Sequence, residues 1–227
     1  MDLSVRIVVV EDHLMFRDLI RKSCRIPFGH EVVGETDSGV AAIEMILRLK
    51  PDIAILDLSL SDMDGFLVAD RVLKSLRGLK VLVLSSHCDD YTMFCVEKSG
   101  VHGFIDKNTN TVETLQEALV ALQAGRIYFS PAFKAAKLAR RADPMSFTKI
   151  LSDRERAVLS LIGHGMSDDE IGALLDVSNR TAQTHRSRIL RKLEIKGTPK
   201  LIAFAVAHGF TRVHSERKMP AIAAAGR

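Results

Sequence analysis

The residues able to do chemistry sit where short apolar runs end. Glu11-Asp12 follows Val8-Val9-Val10, Asp57 follows Ile53-Ala54-Ile55-Leu56, Ser85-Ser86 follows Val81-Leu82-Val83-Leu84, and Lys107 lies just beyond Gly103-Phe104-Ile105. Three carboxylates brought to one place repel one another and raise each other's pKa unless a cation lies among them. Magnesium suits such a set, because it takes octahedral oxygen ligands, commonly one or two carboxylates with waters and a phosphate oxygen. A carboxylate beside that ion can attack phosphorus and become an aspartyl phosphate. Lys107 would then neutralise phosphoryl oxygens as a point charge, while the Ser85 hydroxyl donates a hydrogen bond to another. Taken singly, each carboxylate is an ordinary solvated strand end; the constellation is what points to phosphoryl chemistry.

A second group of residues is basic. If residues 178–194 form a helix turning about 100° per residue, Ala182, Ile189, Leu190 and Leu193 share one side, and Arg180, Thr184, Ser187, Arg188 and Arg191 the other. One face packs and the opposite face can meet a polyanion. Arg186 falls near the packing side, so its stem is expected to pack while its guanidinium reaches a phosphate. His13, His30, His87 and His102 have no partners at metal-ligand spacing and are assigned no chemistry.

The elements that must position these groups differ between the two halves. In the first, strand-like runs at 5–10, 31–35, 53–57, 80–85 and 103–105 alternate with helical stripes such as Phe16, Leu19, Ile20, Cys24 and Ala42, Ile43, Ile46, Leu47 and Leu115, Ala118, Leu119, Leu122. That alternation predicts a doubly wound α/β domain of five parallel strands over residues 1–125, with its site at the carboxyl ends of the strands. Residues 126–150 lose the periodicity, collect basic residues and contain Asp143-Pro144, so the linker is placed there. From 151 the pattern is all-helical: Ser152-x-x-Glu155 and Ser167-x-x-Glu170 are capping boxes, and a fourth helix follows Gly197-Thr198-Pro199 and ends near Gly209. Residues 211–227 read as a tail.

Composition fits this division. Residues 1–125 carry 13 Lys and Arg against 19 Asp and Glu, whereas residues 126–227 carry 19 against 9, so an acidic half is joined to a basic one. Concentrated positive charge is the electrostatic footprint of a nucleic-acid partner. No apolar run approaches the roughly 18 residues of a membrane span. The N-terminus lacks the order of a signal peptide, so a cytoplasmic protein without a membrane partner is expected. Cys24, Cys88 and Cys95 are odd in number and lack C-x-x-C spacing, which argues against disulfides and a zinc cluster.

The segments Val8-Val9-Val10-Glu11-Asp12-His13, Ile55-Leu56-Asp57-Leu58-Ser59, Met63-Asp64-Gly65, Leu84-Ser85-Ser86 and Lys107 resemble the receiver domain of two-component response regulators. The resemblance implies that a sensor histidine kinase phosphorylates Asp57, that Glu11, Asp12, Asp57 and the Ser59 carbonyl hold Mg2+, and that Ser85 and Phe104 form the switch. The face made by the fourth helix, fifth strand and fifth helix would then change. Leu151-Ser152-Asp153-Arg154-Glu155, Gly165-Met166-Ser167-x-x-Glu170-Ile171, Thr181-x-x-Thr184-His185 and Ile189-Leu190-x-Lys192-Leu193 resemble the LuxR-type four-helix DNA-binding domain, over 151–210. Together the two are similar to the NarL/FixJ family of transcriptional regulators. By that resemblance Gln183, Thr184 and Ser187 read base edges, with Arg180, Arg188, Arg191 and Lys192 nearer the backbone. Promoter DNA, RNA polymerase and a second copy of the chain, paired through 198–207, are the implied partners. The family is regulatory, so no enzyme activity beyond intrinsic autophosphatase is expected. Two other readings remain: a magnesium phosphohydrolase, although Ser59 stands where such enzymes usually carry a second acid, and a phosphate sink or interaction module with little DNA-binding role. Departures from the common pattern are Ser61, Ser86, Ala182, Gln183 and Asp168-Asp169.

Overall fold

The structure is a computed structural model that describes residues 4–25, 29–108, 111–143 and 146–211. Contacts group the chain into two units, one taking residues up to Cys88 with Cys95–Ala135, the other Asp89–Phe94 with the residues from Ala136 onward.

In the first unit the apolar runs form the parallel strands β1 (Arg6–Val10), β2 (Glu31–Thr36), β3 (Ile53–Asp57), β4 (Lys80–Ser85) and β5 (Gly103–Asp106), to which a two-residue strand β6 (Tyr128–Phe129) is added. The order is β2-β1-β3-β4-β5-β6. Between successive strands in the chain lie α1 (Leu14–Arg25), α2 (Gly39–Leu49), α3 (Gly65–Ser75), α4 (Asp90–Lys98), whose residues up to Phe94 group with the second unit, and α5 (Val112–Gln123). Alternate strand residues point to opposite faces. Ile7, Val9, Ile53, Ile55, Leu82, Leu84 and Ile105 therefore bury one face under Ile20 and Cys24 of α1 and Leu115, Ala118, Leu119 and Leu122 of α5. Val8, Val10, Ala54 and Leu56 are buried on the other face, where α2 packs beside β1 and α3 beside β3. Each large aliphatic side chain so buried contributes about 1.5–3 kcal/mol, which explains why these strands read as continuous apolar runs. Leu19 and Leu47, expected to face the core, are 45% and 36% exposed, because each lies one helical step round from the buried Ile20 and Ile46.

The segment 126–150, where the sequence places the linker, holds elements of its own. It contains β6, α6 (Pro131–Ala142) and the single turn α7 (Phe147–Ile150), so the two-residue β6 joins the five expected parallel strands as a short sixth at the sheet edge. Ser130-Pro131 starts α6 as an N-cap followed by proline at the first helical position. The Phe133 N–H donates to Ser130 Oγ at 3.4 Å, the Lys134 N–H donates to the Ser130 carbonyl at 3.1 Å, and the Ser130 N–H donates to the Phe104 carbonyl at 3.2 Å. Phe133 is buried, with its ring centroid 5.2 Å from Phe104 and 4.9 Å from Phe129. Pro144 lies outside the described residues.

The second unit contains α8 (Asp153–Gly163), α9 (Asp168–Leu175), α10 (Asn179–Lys192) and α11 (Thr198–Ala207). Both capping boxes form: Ser152 and Glu155 exchange backbone and side-chain hydrogen bonds, as do Ser167 and Glu170. The core joins Val158, Leu161 and Ile162 of α8 to Ile171, Ala182, Ile189, Leu201 and Ala205. A Cβ on Gly172 would stand 2.8 Å from the Val177 carbonyl, so a side chain here would push the α9–α10 turn away from α9. The tail read over 211–227 lies, past Thr211, outside the described residues. Among the described residues no helix is long and apolar enough to cross a membrane.

Gly65 offers a direct test of how tightly the β3–α3 loop is folded. A Cβ there would stand 2.4 Å from the Asp57 carbonyl oxygen and 2.7 Å from the Leu58 Cα, whereas at Gly78 it would meet nothing within 4 Å. Gly65→Ala is expected to lower stability by about 1–3 kcal/mol in urea unfolding. Gly78→Ala is expected to stay within about 0.5 kcal/mol of the unsubstituted protein.

Candidate functional site

Strand register brings the chemistry together. Val10 of β1 pairs with Leu56 of β3, so Glu11 and Asp57 emerge side by side. Asp57 pairs with Leu84 of β4, placing Ser85 one residue further along. Ser85 pairs with Asp106 of β5, and the Lys107 N–H donates to the Ser85 carbonyl at 2.9 Å, so Lys107 arrives at the same edge. Its Nζ lies 2.7 Å from Glu11 Oε2 and 2.9 Å from Asp57 Oδ2. The Phe16 ring centroid stands 5.3 Å from that ammonium. Glu11, Asp57 and Ser85 are buried, while Asp12 is exposed.

The charges do not balance. Among the described residues, Glu11 and Asp57 against Lys107 leave one excess negative charge, and Asp12 adds another. Burial, and then the Asp57 charge, raise the Glu11 carboxyl above its ordinary range despite the Lys107 contact; the same two causes raise Asp12. One oxygen from each of Glu11, Asp12 and Asp57 lies within 4.8 Å of the others. An acidic, oxygen-only set with excess negative charge fits a small divalent cation such as Mg2+. The Ser59 N–H donates to Asp57 Oδ1 at 3.2 Å, which turns the adjacent loop around that carboxylate. Ser85 Oγ accepts the His87 N–H at 3.0 Å, so the hydroxyl keeps its own proton to donate. Phe104 is fully buried.

Two residues at this site had not been singled out in the sequence. Asp62 accepts hydrogen bonds from Ser38 Oγ, the Gly39 N–H and the Val40 N–H at 2.6, 2.8 and 3.0 Å, tying the β3–α3 loop to the start of α2. Burial would raise its carboxyl, but those bonds outweigh it and hold the group low. Phe133 covers Phe104; its signal was the Ser130-Pro131 helix start.

In the second unit, Arg180, Gln183, Thr184, Ser187, Arg188 and Arg191 line one recess of about 580 Å³ along α10. Ser178 caps the helix by accepting the Thr181 N–H at 3.1 Å. The other two basic candidates are engaged elsewhere. The Arg186 guanidinium, expected to reach out to phosphate, donates from Nε to Asp168 Oδ1 at 2.9 Å, with its Nη2 2.8 Å from the same oxygen. Lys192 Nζ donates to Glu155 Oε2 at 2.7 Å. Burial would raise the Glu155 carboxyl, but Lys192 and the Ser152 hydrogen bonds outweigh it and hold it below its ordinary range. His185 is held below its ordinary pKa by burial, then by Arg154 and Arg188, which favours the neutral imidazole beside a cationic face.

Fold and site together define a carboxylate-centred receiver joined to a helix-turn-helix unit, and comparison with known proteins agrees. The response regulator receiver domain family matches residues 7–119, and the luxR family of bacterial regulatory proteins matches residues 149–205. The chain is 31% identical over 206 residues to the response regulator protein VraR of Staphylococcus aureus, covering 91% of this chain and 98% of that one. Among solved structures it is similar to the response regulator RcsB in a DNA complex, at 25% identity and a TM-score of 0.62, covering 90% of this chain and 98% of that one. RcsB of Salmonella typhimurium also shares the fold, at 23% identity and a TM-score of 0.61, over 89% of this chain and 98% of that one. The chain belongs to the two-component response regulators of the NarL/FixJ type, with a receiver domain followed by a LuxR-type DNA-binding domain.

The charge imbalance predicts a response to metal. Addition of about 10 mM Mg2+ is expected to raise the thermal midpoint of the full chain by about 2–4 °C. Asp12→Asn should remove most of that gain while leaving the fold intact, both read by differential scanning calorimetry.

Proposed function

We propose that Asp57 accepts a phosphoryl group from the phosphohistidine of a sensor histidine kinase and that this modification controls promoter binding by the LuxR-type domain. The observation that carries the reading is the contact of buried Lys107 with both Glu11 and Asp57. An Asp57 oxygen forms its bond to phosphorus as the phosphorus–nitrogen bond breaks, and the kinase imidazole leaves with the electron pair. Glu11, Asp12, Asp57 and the Ser59 carbonyl would hold Mg2+, which when bound neutralises phosphoryl oxygens. Lys107 would exchange part of its contact with Asp57 for a phosphoryl oxygen, and Ser85 would donate its free proton to another. Phe104 would follow Ser85, changing the surface around β5. The chemistry ends with the phosphorylated protein, apart from slow hydrolysis of its own acyl phosphate.

The matched segments, 7–119 and 149–205, support a receiver over 1–125 and a DNA-binding domain over 151–210; the segment 126–150, with β6, α6 and α7, would join them, and 211–227 would follow as a tail. On α10, Gln183, Thr184 and Ser187 would meet base edges, and Arg180, Arg188 and Arg191 the phosphates; glutamine can bind adenine bidentately. Similarity to RcsB, solved as dimers bound to DNA, supports a homodimer as the active form, with 198–207 as its contact. RNA polymerase is a further partner of this reading.

Two experiments test it. Asp57→Asn is expected to abolish hydroxylamine-sensitive labelling by a phosphodonor in Mg2+; labelling at unchanged stoichiometry would sink the assignment. Arg188→Gln should weaken binding to random and promoter duplexes alike and reduce the slope of log K against log salt by about one.

A further inference from the structure

Two cations flank the recess on α10 without belonging to it, and both are held by carboxylates from first helical turns: Lys192 by Glu155 of α8 and Arg186 by Asp168 of α9. The second pair is the more consequential. Arg186 lies three residues along α10 from Gln183, about 60° of arc round the helix from this residue of the recess lining. Its side chain is long enough to reach past that residue. Instead the guanidinium lies across Asp168 Oδ1, and Nη1 donates to Thr198 Oγ1 at 3.4 Å at the start of α11. The side chains are 16% and 19% exposed, so the pair is partly desolvated and little screened by salt.

The neighbouring acids confirm that this carboxylate is the one available to Arg186. Glu170 is engaged by the Ser167 N–H and hydroxyl of its capping box, and Asp169 accepts from Asn179 Nδ2 at 2.6 Å. Asp168 is thus matched to a cation that would otherwise border a polyanion-binding face. We infer that Asp168 is a positioning residue that withholds Arg186 from the DNA phosphates and thereby sets the affinity of the domain for DNA of any sequence. The inference rests on α10 being the DNA-binding element. It assigns the pair a part in adjusting sequence-independent attraction, since phosphate contacts add affinity without reading bases.

The test uses the full chain, treated with acetyl phosphate and Mg2+, on a random duplex and on a selected promoter duplex across a salt series. Asp168→Asn keeps the shape of the side chain and removes its charge, and is expected to bind both duplexes about three- to tenfold more tightly near 100 mM salt. Its slope of log K against log salt should steepen by about 0.9, the release expected for one more phosphate contact. Arg186→Gln alone should leave the slope of the unsubstituted protein unchanged, and Asp168→Asn combined with Arg186→Gln should bring it back to that value. A slope that stays steep in the double variant would mean that the Asp168 charge alone repels DNA, and would overturn the inference. So would a slope reduced by Arg186→Gln alone, or a loss of affinity in Asp168→Asn accompanied by a lower thermal midpoint. Absence of salt-dependent retention of the unsubstituted protein on either duplex would instead overturn the DNA-binding reading itself, and this inference with it.

Discussion

The receiver is organised around an unbalanced charge. Glu11 and Asp57 are withdrawn from water at the carboxyl edge of a parallel sheet and, among the described residues, share one ammonium, Lys107. Burying carboxylates is unfavourable unless they are paired, and here the pairing is incomplete by design of the strand register. The residual negative charge gives the site a use for a divalent cation. The ammonium gives it a group already placed for the oxygens of an incoming phosphoryl group. Strand order, the β3–α3 loop and the buried Ser85 all serve to hold those groups within hydrogen-bonding distance of one another.

The surroundings keep that arrangement rigid. Gly65 lets the loop after Asp57 return so closely that a Cβ would press on the Asp57 and Leu58 backbone, and Asp62 fastens the same loop to α2. At the far strand, β6 and α6 extend the sheet and set Phe133 on Phe104. The aromatic expected to move with the switch hydroxyl therefore has a partner from the segment that follows the receiver. The helix-turn-helix unit is arranged differently: α10 is amphipathic, and its cations are divided between those lining an open recess and those paired with carboxylates of neighbouring helices.

Much of this was legible in the sequence because the signals were local or periodic. Five strands appear within a residue of their expected bounds, and all but the partly exposed β2 do so because covered parallel strands read as nearly unbroken apolar runs; both capping boxes likewise announce helix starts through fixed spacing. What the sequence concealed depends on pairing across space. Asp62 capping α2 and Asp168 holding Arg186 join residues 23 and 18 positions apart, and nothing in either residue's local pattern names the other. The region after Arg126 reads as a linker for a different reason. Basic residues masked its helical stripe, although Ser130-Pro131 marked the start of α6.

The central claim is that phosphorylation of one aspartate governs where this protein sits on DNA. Genome-wide mapping of chromatin binding in the native host, for the unsubstituted protein and Asp57→Asn at matched expression, tests it most directly. The account predicts discrete promoter peaks for the unsubstituted protein that are absent from the variant. Equal peaks in both would contradict it, by separating DNA binding from the phosphoacceptor.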